Sequence, residues 1–377
     1  MIIVIYGFLA LSVLVFFHEF GHFLLAKSFN VCVEEFSIGY PPRLIGLVKS
    51  RGKYRIFFGK KAPPPDKGAT IYSLGLIPFG GLNKLKDEVE RSKSKDGYSS
   101  QVWWKKVLIA LGGAGGNIVL AIIVFSLCLS LGVPQVVLSD TTTSLGIQVI
   151  GVNPGSPADR AGLIPGDVIL EIDNQKFDSI SQVQNYLKDK INIPVLFKIK
   201  RRDKVLQFEI SPVPAKKAFP GIIDEDYGVI GITLAKTSIV SYPFPQNVFL
   251  GIKNTFYLVG EIFSGIWMVL KNLISKGTLI GQMIGPVGLV SLSGKVSQQG
   301  FVYFLQIVGI FSVALACFQI LPIPPLDGGR IVFAIIEGLR KGKQVPLNVE
   351  IAINNLGVIL LIFLAIFVTY KDILRLF

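Results

Sequence analysis

The run IIVIYGFLALSVLVFFHEFGHFLLA, Ile2–Ala26, makes two demands at once. Its apolar length meets the roughly 20 residues a helix needs to cross about 30 Å of hydrocarbon, yet His18, Glu19 and His22 set three titratable side chains inside it. No Lys or Arg precedes the run and polar groups break its apolar centre, so it is expected to stay as a membrane helix and not to be removed as a signal peptide.

His18 and His22 are the only histidines in the chain. On a helix, residues four apart share one face a turn apart, so H-E-x-x-H lets both imidazoles reach one Zn²⁺ while Glu19 stands beside them to take a proton from water. The alternative is a polar patch that satisfies itself between packed helices. A charged side chain at mid-membrane costs about 2.5–3.5 kcal/mol on insertion scales, and polar residues kept there mark functional sites. That cost favours the metal.

A catalytic zinc takes three protein ligands and leaves one position open. With no further histidine and no suitably spaced cysteine, the third ligand must be a carboxylate from another span. Asp327 qualifies, in Leu321-Pro322-Ile323-Pro324-Pro325-Leu326-Asp327-Gly328-Gly329. The prolines stop a helix and the glycines allow close backbone approach. Irregular backbone at membrane depth is tolerated only when it is buried in protein or lines a wet cavity. A plain helix stop in which Asp327 caps the next helix is the competing reading. A different class of membrane zinc peptidase would complete the motif with Glu261 or Glu337, and a membrane scaffold would bind no metal at all.

Composition supports a bilayer setting: the chain is 51% apolar and 17% charged, with a mean hydropathy of +0.57. Further spans are read at Val107–Val133, Phe301–Leu321 and Ile351–Tyr370, four in all. Val248–Ile274 carries Lys253, Asn254, Glu261 and Lys271 among bulky apolar residues and reads as an amphipathic helix in the interface. The net charge of +13 does not require nucleic acid, because Lys27–Lys106 holds sixteen Lys and Arg against seven Asp and Glu. Positive-inside bias makes that loop cytoplasmic and puts the N-terminus and residues 134–246 outside. Trp103-Trp104-Lys105-Lys106 reads as an interfacial anchor. Cys32, Cys128 and Cys317 are scattered and read as thiols without function.

Between Leu145 and Pro214 short strands alternate with turns and two helices, near Ala158–Ala161 and Ser181–Lys188, and Tyr227–Leu234 reads as a strand returning to them. Ala161-Gly162-Leu163 through Pro165-Gly166-Asp167 resembles a PDZ domain. Such domains take a peptide by strand addition, here a peptide or a substrate ectodomain.

With its H-E-x-x-H in the first span and Leu326-Asp327-Gly328 in a later one, the chain resembles the site-2 protease family of intramembrane zinc metalloproteases, in the bacterial branch that includes the regulator-of-sigma-E protease. The resemblance covers nearly the whole chain. It implies Zn²⁺ held by His18, His22 and Asp327, Glu19 as the catalytic base, and single-pass transmembrane proteins as substrates in regulated intramembrane proteolysis, anti-sigma factors or remnant signal peptides among them. It also implies a membrane-associated β-region that grips substrate as an extended strand. Strand-like runs at Val33–Gly39, Tyr54–Gly59 and Ala69–Leu82, broken at Pro41-Pro42, Pro63-Pro64-Pro65 and Gly80-Gly81, suit that region. By the same resemblance Gln319, Pro322, Gly39, Gly80 and Gly81 are expected at the substrate, although Gln319 stands where the family usually has Asn. Gly285-Pro286 resembles part of the outer segment before the third span.

The resulting plan is a polytopic α-helical membrane protein of the inner (plasma) membrane. It runs from a first transmembrane helix with the zinc motif (1–27) to a cytoplasmic membrane-associated β-region and loop (28–106) and a second transmembrane helix (107–133). An extracytoplasmic PDZ domain (145–236), an interfacial amphipathic helix and loop (246–300), a third transmembrane helix with the L-D-G motif (301–345) and a fourth transmembrane helix (350–371) complete it. The expected partners are the lipid bilayer, the substrates and a PDZ ligand, with the site toward the cytoplasmic side.

Overall fold

A computed structural model of the 377-residue chain describes residues 2–88, 94–136, 146–201, 204–218, 227–276 and 300–374. Gly285 and Pro286 lie outside them. The chain divides into two compact units, one built mainly from residues 1–125, 248–283 and 307–368, the other mainly from 126–247.

The first unit opens with helix α1, Ile2–Ser28, followed by strands β1, Val33–Ser50, β2, Lys53–Phe58, and β3, Ile71–Leu85. Helix α2, Trp103–Leu131, packs on α1 backbone to backbone. The glycines of Gly112-Gly113-Ala114-Gly115-Gly116 make this possible. A Cβ on Gly112 would stand 2.7 Å from the Gly21 carbonyl oxygen, and one on Gly116 would collide with that of Phe17. Small residues are how membrane helices approach this closely.

The sheet has the order β2-β1-β3. Contrary to the expected breaks, β1 continues through Pro41-Pro42 to Ser50 and β3 through Gly80-Gly81 to Leu85. Both strands double back instead of ending, through register shifts in their pairing and positive φ at Gly39 (+84°) and Gly80 (+86°). Glu35–Ile38 consequently have partners on both sides, Ile71–Leu74 on one and Gly81–Lys84 on the other. Arg43 clamps the bend with two hydrogen bonds to Glu35, which also accepts from Ser73 Oγ at 2.7 Å. Gly81–Lys84 form an outer strand whose far edge has no strand partner among the described residues. One face of the sheet exposes Ile45, Leu47, Tyr54, Ile56, Phe58 and Leu74, while alternate positions such as Val48 and Phe57 are buried.

The other helices of this unit are α6, Gln246–Lys276, α7, Phe301–Ile320, α8, Asp327–Leu339, and α9, Leu347–Leu374. Helix α6 lays Leu258, Val259 and Ile262 on a cluster of Ala121, Val313 and Cys317 and leaves Phe249, Phe256 and Trp267 exposed. Between α7 and α8 the proline-rich turn is closed by α9, where a Cβ on Gly357 would collide with the Pro324 carbonyl. Ala10–Ser28, Trp103–Leu131 and Phe301–Ile320 are long and apolar enough to cross a membrane, and α9 contributes a shorter apolar stretch, Leu347–Phe363.

The second unit holds β4, Val133–Val136, β5, Gly146–Val152, α3, Pro157–Ala161, β6, Val168–Ile172, α4, Ile180–Lys188, β7, Val195–Arg201, β8, Lys204–Ile210, β9, Val213–Pro214, α5, Ala215–Ala218, β10, Gly228–Val229, and β11, Ile232–Val240. Six of these strands form one antiparallel sheet, β4-β11-β5-β6-β7-β8. Its core includes Val149, Leu163, Ile172, Val183 and Phe197. Ser156 caps α3 by accepting from the Asp159 N–H, and Gly162, with φ at +91°, ends it. β4 is an edge strand not anticipated from sequence; four residues without alternation leave no periodic signal.

Candidate metal centre

Helix α1 carries His18 and His22 one turn apart, both 7% exposed, with their Nε2 atoms 3.3 Å from each other. Asp327, the first residue of α8, brings Oδ2 to 3.1 Å from His18 Nε2 and 3.0 Å from His22 Nε2. Bonds of about 2.0–2.1 Å from a tetrahedral zinc place its ligand atoms about 3.3 Å apart. The three donor atoms therefore already sit at the spacing of ligands that share one ion. Asp327 does not cap α8, since Leu326 occupies that position and makes no side-chain cap bond.

Each imidazole is held from behind by α2. His22 Nδ1–H donates to the Ile109 carbonyl at 2.7 Å, which fixes the tautomer and leaves the Nε2 lone pair facing Asp327. His18 Nδ1 lies 3.3 Å from the Asn117 carboxamide, whose Oδ1 is buried without a hydrogen-bond partner among the described residues. Turning that amide by half a rotation makes Oδ1 the acceptor of His18 Nδ1–H, pairs the orphaned oxygen and frees His18 Nε2 as a donor to a metal. Ser312 Oγ on α7 in turn donates to the Asn117 carbonyl at 2.7 Å. Two neutral imidazoles and one carboxylate, buried together, are a donor set that fits zinc.

A cavity of about 350 Å³ opens onto this triangle and is also lined by Glu19, Gly81, Asn83 and Gln319. A Cβ on Gly81 would stand 2.7 Å from Glu19 Cγ, so the outer strand touches the helix at the residue next to the imidazoles. Of the positions expected at a substrate, Gln319 and Gly81 line the cavity. Gly39 and Gly80 serve the bends of the sheet, packed against the Ile77 carbonyl and the Tyr40 ring, and Pro322 belongs to the turn that ends α7. Glu337 lies elsewhere, with both carboxylate oxygens held by Lys106 Nζ at 2.8 and 2.9 Å, and Glu261 is exposed on α6. Among the described residues, His18, His22 and Asp327 are the one group of His, Cys, Asp and Glu close enough to hold an ion.

Gly113, Asn117 and Asn83 were missed in the sequence. A Cβ on Gly113 would stand 2.5 Å from His18 Cε1 and would press on His22 Nε2, so only glycine fits behind the rings. The available signal was four glycines in five residues followed by an asparagine inside an apolar span, a pattern of close helix contact and interhelical hydrogen bonding.

Comparison with known proteins places this chain among peptidases. The profile of peptidase family M50 matches residues 6–60 and 52–364. A Clostridium perfringens protein provisionally named a zinc metalloprotease is 31% identical over 98% of both chains. The chloroplastic membrane metalloprotease ARASP of Arabidopsis thaliana is 28% identical over 97% of this chain and 77% of its own. The crystal structure of the PDZ domain of an SdrC-like protein from Listeria monocytogenes covers 25% of this chain and 92% of its own, at 30% identity and a TM-score of 0.22.

Proposed function

Because the chain belongs to peptidase family M50 and is a membrane zinc metalloprotease, we propose that it hydrolyses peptide bonds in or beside the membrane-spanning segments of single-pass proteins, with His18, His22 and Asp327 as zinc ligands and Glu19 as the base. The observation that carries the reading is the triangle of His18, His22 and Asp327 donor atoms, 3.0–3.3 Å apart, its two imidazoles carried by a helix apolar enough to span a membrane.

Zinc, when bound, supplies a Lewis acid that polarises the scissile carbonyl and acidifies a water. Glu19 takes the proton of the attacking water and passes it to the leaving amine. The outer strand Gly81–Lys84 offers an open edge beside Glu19, and a substrate that unwinds there regains by pairing the backbone hydrogen bonds it loses. Gln319 also lines the cavity and contacts the substrate.

The apolar outer face of the sheet supports a membrane-associated β-region, since an exposed sheet face in water would be polar. In this reading α9 is a fourth span and α6 lies in the interface with its aromatic face in lipid. The basic Lys27–Lys106 loop is cytoplasmic, and the six-stranded unit is an extracytoplasmic PDZ domain that screens substrate ectodomains. The membrane is the plasma membrane.

The test uses purified protein and a model transmembrane peptide. Glu19→Gln should retain one equivalent of zinc and lose cleavage by at least about 100-fold, whereas Asp327→Ala should lose zinc and cleavage together. Cleavage by Glu19→Gln at the wild-type rate would remove Glu19 from its role.

A further inference from the structure

Asn83 sits on the outer strand, two residues from Gly81 and on the same side of it, and lines the cavity that holds the metal triangle. Its Nδ2–H donates to the main-chain carbonyl of Glu19 at 3.4 Å, a long bond that orients the carboxamide. That orientation leaves Oδ1 buried and without a hydrogen-bond partner among the described residues. Buried side-chain oxygens are normally paired, and one left unpaired on a residue that lines a cavity marks a missing donor. The amide cannot turn to relieve it, because Oδ1 would then face the Glu19 carbonyl, acceptor against acceptor.

We propose that Asn83 is a substrate-binding residue whose Oδ1 accepts a hydrogen bond from a main-chain N–H of the substrate beside the scissile bond. An extended peptide lying along Gly81–Lys84 pairs through alternate backbone groups, and those between them need partners of their own. Asn83 Oδ1 supplies an acceptor at the point where the strand meets Glu19, and it does so without competing for the strand's backbone carbonyls. The bond sets the register of the substrate against Glu19, so Asn83 selects which peptide bond is presented. The proposal rests on the proteolytic reading and on strand pairing at this edge.

The experiment measures binding of a labelled transmembrane peptide to zinc-loaded Glu19→Gln protein in nanodiscs, with cleavage by the wild type run beside it. Asn83→Leu, which removes donor and acceptor, should weaken binding about ten-fold, the usual size for one buried hydrogen bond. Peptides carrying a single amide-to-ester replacement then locate the partner: one position should cost about ten-fold against the Asn83 protein and nothing against Asn83→Leu. Zinc content and melting temperature screen each variant for folding, with Asn83→Ala used if the leucine variant fails. Undiminished binding by Asn83→Leu, or no ester position coupled to Asn83, would each overturn the assignment while leaving the protease intact. A zinc-loaded wild type that cuts no transmembrane peptide would remove the proteolytic reading, and this assignment with it.

Discussion

Adding a single methyl group behind the metal ligands, by Gly113→Ala, should empty the site with every ligand residue unchanged. The new Cβ would stand 2.5 Å from His18 Cε1 and 2.8 Å from His18 Nδ1, and closer still to His22 Nε2. Carbon atoms rest at about 3.5 Å or more, so at least one ring must retreat by about 1 Å. Zinc ligands tolerate roughly 0.2 Å, so that retreat breaks a metal bond. Loss of an outer hydrogen bond to a zinc ligand already costs 10–100-fold in affinity, by general experience. Loss of a ligand should therefore raise the zinc Kd by more than about 100-fold, or about 2.7 kcal/mol. Overpacking between α1 and α2 adds roughly 1–3 kcal/mol of destabilisation. Competition with a chromophoric chelator reads the Kd, elemental analysis the stoichiometry, and circular dichroism in detergent the fold. Gly115→Ala is the matched control, because a Cβ there meets nothing within 4 Å. If Gly113→Ala keeps one equivalent of zinc at wild-type affinity while Gly115→Ala behaves identically, the close packing of α2 on the imidazoles is not what shapes the site.

Asn117→Leu removes the partner of His18 Nδ1 and should weaken zinc binding about 10–100-fold with the helices still folded, measured by the same chelator competition. Lys106→Met strands the buried Glu337 carboxylate and should lower stability by about 3–5 kcal/mol, whereas Lys106→Met with Glu337→Leu should recover most of it in denaturant or thermal melts. Burial raises the Glu35 pKa, but the Arg43 and Ser73 hydrogen bonds outweigh it and leave the carboxyl below its ordinary value. The stabilisation it contributes is accordingly present above the unfolded pKa of about 4.3 and lost as the pH falls through the lower folded value. Hydrogen exchange of β1 and β3 should rise over that acid window in the wild type, and Glu35→Gln should flatten the dependence.

Much of the architecture was legible in the sequence because lipid imposes one-dimensional rules. A span needs a continuous apolar run, and a titratable side chain inside it needs a reason. His18, Glu19 and His22 met both conditions within five residues of one helix, where spacing alone fixes which side chains share a face. Asp327 was reachable by chemistry, since three ligands were required and the prolines and glycines around it marked a turn that had to be buried. The β-rich second unit was legible in outline, because Ser156, Gly162 and the alternating strands are local signals.

The doubling back of β1 and β3 was not legible. Pro41-Pro42 and Gly80-Gly81 read as breaks, and whether a chain stops or turns at a break depends on which strand is waiting beyond it. The roles of Gly113, Asn117 and Asn83 were equally hidden. Each acts on a residue of α1 that is remote in sequence, and nothing in its own neighbourhood says which partner it will meet. The sequence alone therefore determined a membrane chain with a two-histidine metal motif and a carboxylate able to complete it. Only tertiary structure decided that α2 would press a glycine and an asparagine against the imidazoles and that an open strand edge would lie beside Glu19, because those contacts come from the packing of helices and strands and carry no periodicity for a sequence to display.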